Sequence, residues 1–321
     1  MPAESPTVVG LGEVLFDCFP DRTVLGGAPI NAVVHADALL APGGGRAVPA
    51  TRIGRDDLGD RFLRELEERG ISAEAVQTDA DLPTGRVEVS IDARGEASYR
   101  FAANTAWDNL AFSAEWRALA AAADGVVFGT LAQRSEVSRR AVQEFVRTAT
   151  GAIRLVDINL REPHFSKAVL RESLTLATAA KMSREELETA VSMLTLSASG
   201  ISEAELAASV LKRYQLDWLA VTRGADGTAL YTPGECFTAT PHGSTSHGAE
   251  PARTADGEAG DTVGAGDACT AALIVGALLG WPPEQMVEAA DLLGGFVAQA
   301  AGATPQLPAE LLEQLPGLAP A

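Results

Sequence analysis

Positive charge is scarce in this chain. Its 321 residues carry 25 Lys and Arg against 43 Asp and Glu, a formal net charge of −18. A surface of that sign repels phosphate backbones and anionic lipid, so neither nucleic acid nor a membrane is expected as a partner. A polyanionic small molecule would need local help from backbone amides, a metal and a few placed cations. Cysteine is also sparse. Cys18, Cys236 and Cys269 stand far apart with no Cys-x-x-Cys pair, which suits a reducing compartment. Long apolar runs are missing: Met1-Pro2-Ala3-Glu4 opens with neither a basic nor an apolar region, and no membrane-length stretch follows. The expected location is the cytoplasm. His242 and His247 lie in a long polar stretch, 232–260, without further ligands to make a metal site.

Hydrophobic residues make up 46% of the chain, enough for a globular protein with a large core. Short apolar runs at 7–11, 126–129, 155–158 and 218–222 read as buried strands, the first continued by 13–17. Helices are expected over 26–40, 57–70, 135–149, 184–194 and 202–214, and 41–48 as a flexible, exposed connection. In the helix at 57–70, Leu58, Phe62, Leu63 and Leu66 form the apolar stripe, with Asp56 or Asp57 as cap and Gly70 as stop. Strands alternating with helices predict an α/β fold: a doubly wound, mostly parallel sheet flanked by helices, with ligands bound beyond the strand C-termini. The period changes at Arg86-Val87-Glu88-Val89-Ser90-Ile91, which alternates as a sheet with one wet face does. Asp92-Ala93-Arg94-Gly95 reads as a turn, and Ser98-Tyr99-Arg100-Phe101 alternates again. This hairpin is expected to be a flap that excludes water from a site.

The most informative stretch is Gly260-Asp261-Thr262-Val263-Gly264-Ala265-Gly266-Asp267-Ala268, followed by an apolar run that reads as a buried helix. Amides at a helix start have no internal partner, and the helix dipole adds partial positive charge, so such an end holds an anion. A carboxylate there would repel phosphate. The conflict disappears if Asp267 is a general base that deprotonates a hydroxyl as it attacks the transferred group. Earlier, Gly26-Gly27-Ala28-Pro29-Ile30-Asn31 opens a helix with a double glycine that lets a small ligand approach the backbone, beside an Asn able to donate and accept.

Taken in order, these pieces resemble the ribokinase/fructokinase (PfkB-type) carbohydrate kinase family. Residues 260–267 are similar to its C-terminal signature and 26–31 to its N-terminal one. The segments Gly85-Arg86-Val87-Glu88-Val89, Ala106-Trp107-Asp108, 128–134, Asp157-Ile158-Asn159-Leu160-Arg161 and 221–227 resemble the fructokinase-like branch. The likeness runs from about residue 8 to residue 303.

The resemblance implies a ribokinase-like kinase domain over 1–321, with a small β lid built from segments about 13–26 and 84–104. It implies ATP as co-substrate with Mg2+, and K+ as a further ion. The catalytic base falls on Asp267 and the anion hole on the amides of Gly264, Ala265 and Gly266. Asp17, Gly27 and Asn31 would face the sugar, with Phe101 reaching it from the lid. Arg161 is the cation for a phosphate or an acidic sugar group. Thr222, Gly224 and Gly227 would line the nucleotide site, Glu186 would hold magnesium through water, and Asp261 would help bind a monovalent cation. The implied reaction is transfer of the γ-phosphate to a primary hydroxyl of a small sugar, with fructose first. A 2-keto-3-deoxygluconate or ribose kinase is the near alternative, and a non-catalytic sugar- or nucleotide-binding relative the distant one. Pairing of two copies through the lid is a further expectation.

Overall fold

Strands that are apolar on successive residues, such as Gly125-Val126-Val127-Phe128-Gly129, have both faces covered and belong in the middle of a parallel sheet. The computed structural model describes residues 5–91, 97–196, 202–239 and 263–315. It begins with β1 (Thr7–Leu11), β2 (Leu15–Cys18), β3 (Thr23–Gly26), α1 (Ala28–Leu40), β4 (Arg46–Gly54), α2 (Asp57–Arg69), β5 (Val76–Asp79), β6 (Gly85–Ile91) and β7 (Ala97–Phe101). The middle alternates α3 (Ala114–Ala122), β8 (Gly125–Gly129), α4 (Glu136–Thr148), β9 (Ile153–Asp157), α5 (Lys167–Leu176) and β10 (Ala179–Ser183). Then come α6 (Arg184–Leu194), α7 (Glu203–Tyr214), β11 (Trp218–Thr222), β12 (Thr228–Thr232), β13 (Glu235–Thr238), α8 (Ala265–Leu278), α9 (Pro283–Val297) and α10 (Ala309–Leu312).

Nine strands form the main sheet in the order β13-β12-β11-β10-β9-β8-β1-β4-β5. The seven from β11 to β5 run parallel, and β12 and β13 add an antiparallel edge. Because β1 is flanked by β4 on one side and β8 on the other, the chain reverses its direction of travel across the sheet there. A crevice opens at such a switch point, beyond the strand C-termini.

Alternate residues of each strand feed two cores. Val126 and Phe128 pack with α4, α6 and α7 on one face, whereas Val127 joins α1, α8 and α9 on the other. Helix α8 is buried along most of its length, which explains its lack of a polar stripe.

A second sheet, β3-β2-β6-β7, stands apart from the main one. Its strands come from residues 15–26, 85–91 and 97–101, and the turn expected at 92–95 lies outside the described residues. Arg134 secures the root of this sheet. Its Nη2 donates to the carbonyl of Ala102 at 2.6 Å, its guanidinium pairs with Asp108 at 2.7 Å, and it lies 3.9 Å from the Trp107 ring centroid.

Three local expectations are corrected. Residues 13–17 do not continue β1; the chain leaves the main sheet after Leu11 and enters the small one at Leu15. In 41–48 only 41–44 and Arg46 are exposed, and Ala47 and Val48 are buried in β4, since a nine-residue strand pairing with β1 recruits them. Leu63 is exposed, while Phe62 and Leu66 carry the apolar contact of α2.

Candidate active site

Helix starts differ across the molecule, and α9 and α10 open on Pro282 and Pro308 without a side-chain cap. Every helix from α2 to α7 opens on an Asp or Ser whose side chain accepts a backbone N–H of the first turn. Helices α1 and α8 open instead on Gly27 and Gly264, with no side-chain cap. Both glycines have positive φ, 107° and 83°. A Cβ on Gly27 would lie 2.5 Å from the Glu13 carbonyl oxygen, and one on Gly264 would lie 2.4 Å from that of Ala303. Only glycine fits either position, and among the described residues no side chain caps the first amides of α8.

The two helices meet at Asp267. This residue sits in the first turn of α8, and the Asn31 Nδ2 of α1 donates to its Oδ2 at 2.8 Å. Burial, aided by the negative charge of Asp157, raises the Asp267 carboxyl to about 6. Lys181, the Asn31 hydrogen bond and Arg161 pull the other way. A carboxylate poised near neutrality is suited to accept a proton.

Beneath the turn lies a buried ion pair. The strand register sets Lys181 of β10 opposite Asp157 of β9, and Lys181 Nζ lies 3.0 and 3.2 Å from the two Asp157 oxygens. Thr270 Oγ1 donates to Asp157 Oδ2 at 2.7 Å, which ties α8 to the same pair. Lys181 Nζ also lies 2.9 Å from where a Cβ on Gly266 would stand, directly behind the turn. Burial opposes the lysine charge, but Asp157, then Asp267 and Glu186, outweigh it and hold its pKa above the ordinary value.

Other expected residues fall around this centre. Asp17, on β2, lies against Gly26, 2.8 Å from where a Cβ on that glycine would stand. The charge of Arg161 lowers the pKa of both Glu13 and Asp267, and Arg161 makes no ion pair among the described residues. Phe101, on β7, meets the ring of His164 edge-on at 5.4 Å, and the His164 amide donates to the Arg161 carbonyl at 2.7 Å. Strand β7 thus touches the loop that carries Arg161.

Glu186 accepts the amides of Leu160 at 2.6 Å and Ser183 at 2.8 Å, one on each oxygen. It therefore closes the N-terminal box of α6 and pins the turn after β9 as well. Thr222, Gly224 and Gly227 line the turn between β11 and β12, where Gly227 abuts Asp291 of α9. Asp261, like His242 and His247, lies outside the described residues. Three contributors were given no role from the sequence: Lys181, Thr270 and Glu13. A lone lysine in the otherwise apolar Ala-Ala-Lys-Met-Ser run was itself a signal, because a buried ammonium needs a counter-charge.

Comparison with known proteins settles the class. Residues 12–310 match the pfkB family carbohydrate kinases. This chain belongs to that family. The fructokinase of Klebsiella pneumoniae is similar at 31% identity over 318 residues, 93% of this chain and 95% of that one. Among solved structures, the fructokinase of Xylella fastidiosa with bound ATP has a TM-score of 0.78 at 21% identity, covering 96% of this kinase and 98% of its own chain. A double mutant of Vibrio cholerae O395 fructokinase with fructose, ADP and potassium bound has a TM-score of 0.74 at 22% identity, covering 97% and 98%. Both structures share the fold of this kinase. Among the described residues no helix is long and apolar enough to cross a membrane.

Proposed function

We propose that this kinase transfers the γ-phosphate of ATP to a primary hydroxyl of fructose. One observation carries the transfer reading: a proton-accepting carboxylate, Asp267, sits in the first turn of a helix whose leading amides no side chain caps among the described residues. The sugar hydroxyl would give its proton to Asp267 as its oxygen attacks phosphorus, and the amides of Gly264, Ala265 and Gly266 would receive the equatorial oxygens. Lys181, behind Gly266, adds positive charge beneath the same turn. Asp17, Gly27 and Asn31 would hold the sugar, with Phe101 over it from the small sheet acting as a lid, and Thr222, Gly224 and Gly227 would hold the nucleotide.

Among the described residues no three His, Cys, Asp or Glu side chains converge on a common metal position. That suits Mg2+ carried on the nucleotide phosphates and touching protein through water. Glu186 fits this role, since each of its oxygens keeps lone-pair capacity beyond the single amide it accepts. The ion would neutralise charge on the phosphates. Asp261, six residues before the base, would contribute to a K+ site.

Fructose is supported by the fructokinase relatives. Arg161 supports a second reading: a guanidinium without an ion-pair partner among the described residues, set beside the candidate site, suits an acidic sugar such as 2-keto-3-deoxygluconate.

An ADP-release assay over a panel of sugars and sugar acids tests both readings. Asp267→Asn should lower turnover about 10²–10⁴-fold with the fold intact by circular dichroism. Near-normal turnover of that variant refutes the base. No ADP release with any sugar favours a non-catalytic binder.

A further inference from the structure

Glu13 has a place in the site that no motif assigned. It lies two residues past β1, at the switch point of the main sheet, and is 3% exposed. The backbone of its own residue and of Ala132 offsets part of the burial cost of its charge, yet among the described residues Oε2 is buried without a hydrogen-bond partner. Asn31 is in the same condition. Its Nδ2 is committed to Asp267, and among the described residues its Oδ1 is buried without a partner. The backbones are close as well, since Gly27, the cap of the helix that carries Asn31, presses on the Glu13 carbonyl. Asp267 and Arg161 both act on the Glu13 charge, and Asn31 bonds the base directly.

A buried acceptor without a donor is costly, and evolved interiors rarely keep one. Two such acceptors, one on Glu13 and one on the residue that bonds the base, point to a ligand that brings donors. Among the described residues no amide reaches these two oxygens, a phosphate brings acceptors rather than donors, and a metal ion, which would coordinate them, finds no third His, Cys, Asp or Glu side chain there among the described residues. A polyhydroxylated carbon chain brings several O–H groups on adjacent carbons. Resting on the sugar-kinase reading, we propose that Glu13 is a specificity-determining residue that accepts one particular secondary hydroxyl of the sugar, beside a hydroxyl held by Asn31 Oδ1. Burial pushes the empty carboxyl up to about 7, which shows how little compensation it has before the hydroxyl arrives. The site then discriminates against a deoxy sugar lacking that hydroxyl, because the analogue leaves Oε2 unpaired.

The test is a cycle between protein and substrate. For the accepted sugar and each of its monodeoxy analogues, kcat/KM is measured in the wild type, Glu13→Ala and Glu13→Gln, alongside the KM for ATP. In the wild type one deoxy position should cost about 10–100-fold. In Glu13→Ala that one penalty should shrink to near unity, with the other penalties and the ATP KM unchanged. Glu13→Gln, which keeps an acceptor oxygen and the shape, should restore part of it. Equal penalties in the wild type and Glu13→Ala at every position, or a uniform loss across all analogues, overturn the proposal. If the wild type phosphorylates no sugar, the kinase reading fails separately. Calorimetric binding of the same analogues to the same three proteins then decides the role of Glu13.

Discussion

Asp267 sits in a field of defined sign, and the acid limb of the pH–rate profile reads that field. Burial raises the carboxyl most and Asp157 adds to it, Lys181, Asn31 and Arg161 lower it, and the balance stands at about 6. A base must be ionised to accept a proton. So kcat/KM for the sugar at saturating ATP should be level at neutral pH, fall through about pH 6, and reach about a tenth of its plateau one pH unit below that. Asp157→Asn removes the like charge and leaves Lys181 unbalanced next to the base. Both changes favour the carboxylate, so the limb should move to lower pH. Lys181→Met removes the cation and leaves Asp157, so the limb should move to higher pH. Two neutralisations of groups 3.0 Å apart therefore displace the profile in opposite directions, and each unit of displacement is about 1.4 kcal/mol. General damage to the fold could lower the rate in both variants, but it could not separate their limbs. Opening a buried pair from one side costs about 3–5 kcal/mol of stability, so urea denaturation should accompany each profile. The double variant, which removes both charges, should recover much of that loss and bring the limb back toward the wild type. A flat profile from about pH 5 to 8, or single variants that shift the same way, refutes the assignment of Asp267 as base.

Two further outcomes follow from the same coordinates. Arg134 and Asp108 have side chains only 10% and 11% exposed, and the guanidinium meets both carboxylate oxygens at 2.7 Å. Arg134→Met should therefore cost about 3–5 kcal/mol in urea denaturation; a loss below about 1 kcal/mol would mean that the pair behaves as a screened surface contact. The Glu13 carboxyl rises on folding from 4.5 to about 7, so its ionisation opposes the folded state. That cost is absent below the unfolded value and complete above the folded one. Glu13→Gln should raise the thermal midpoint of the ligand-free protein by several degrees at about pH 8, with the gain fading toward pH 4.5. A gain that does not depend on pH would exclude the carboxyl as its source.

What could be read in advance, and what could not, follows from how far apart in the chain the cooperating atoms lie. The parallel strands at 126–129 and 218–222 were legible because burial on both faces removes polar alternation. The helices of 57–70 and 135–149 were legible because Asp56 and Ser135 announce their starts. The loop at 264–267 was legible for an equally local reason: glycines and an acid at the head of an apolar helix carry their chemistry within one turn. Strand β10 escaped because Lys181 interrupts its apolar run, and that lysine is the residue that completes the site. Its partner Asp157 stands 24 residues earlier. Nothing in either segment states that the two strands are neighbours in register; only the sheet order does. Glu13 escaped in the same way. As part of one continuous strand it would be a solvated strand-end acid. The chain instead leaves the main sheet after Leu11 and crosses to the small one at Leu15, which strands Glu13 in the gap between the two sheets, beside the base. The charges that set the proton affinity of Asp267 thus come from two parallel strands and a loop, so a sequence motif can locate the base while the order of the strands determines the pH at which it works.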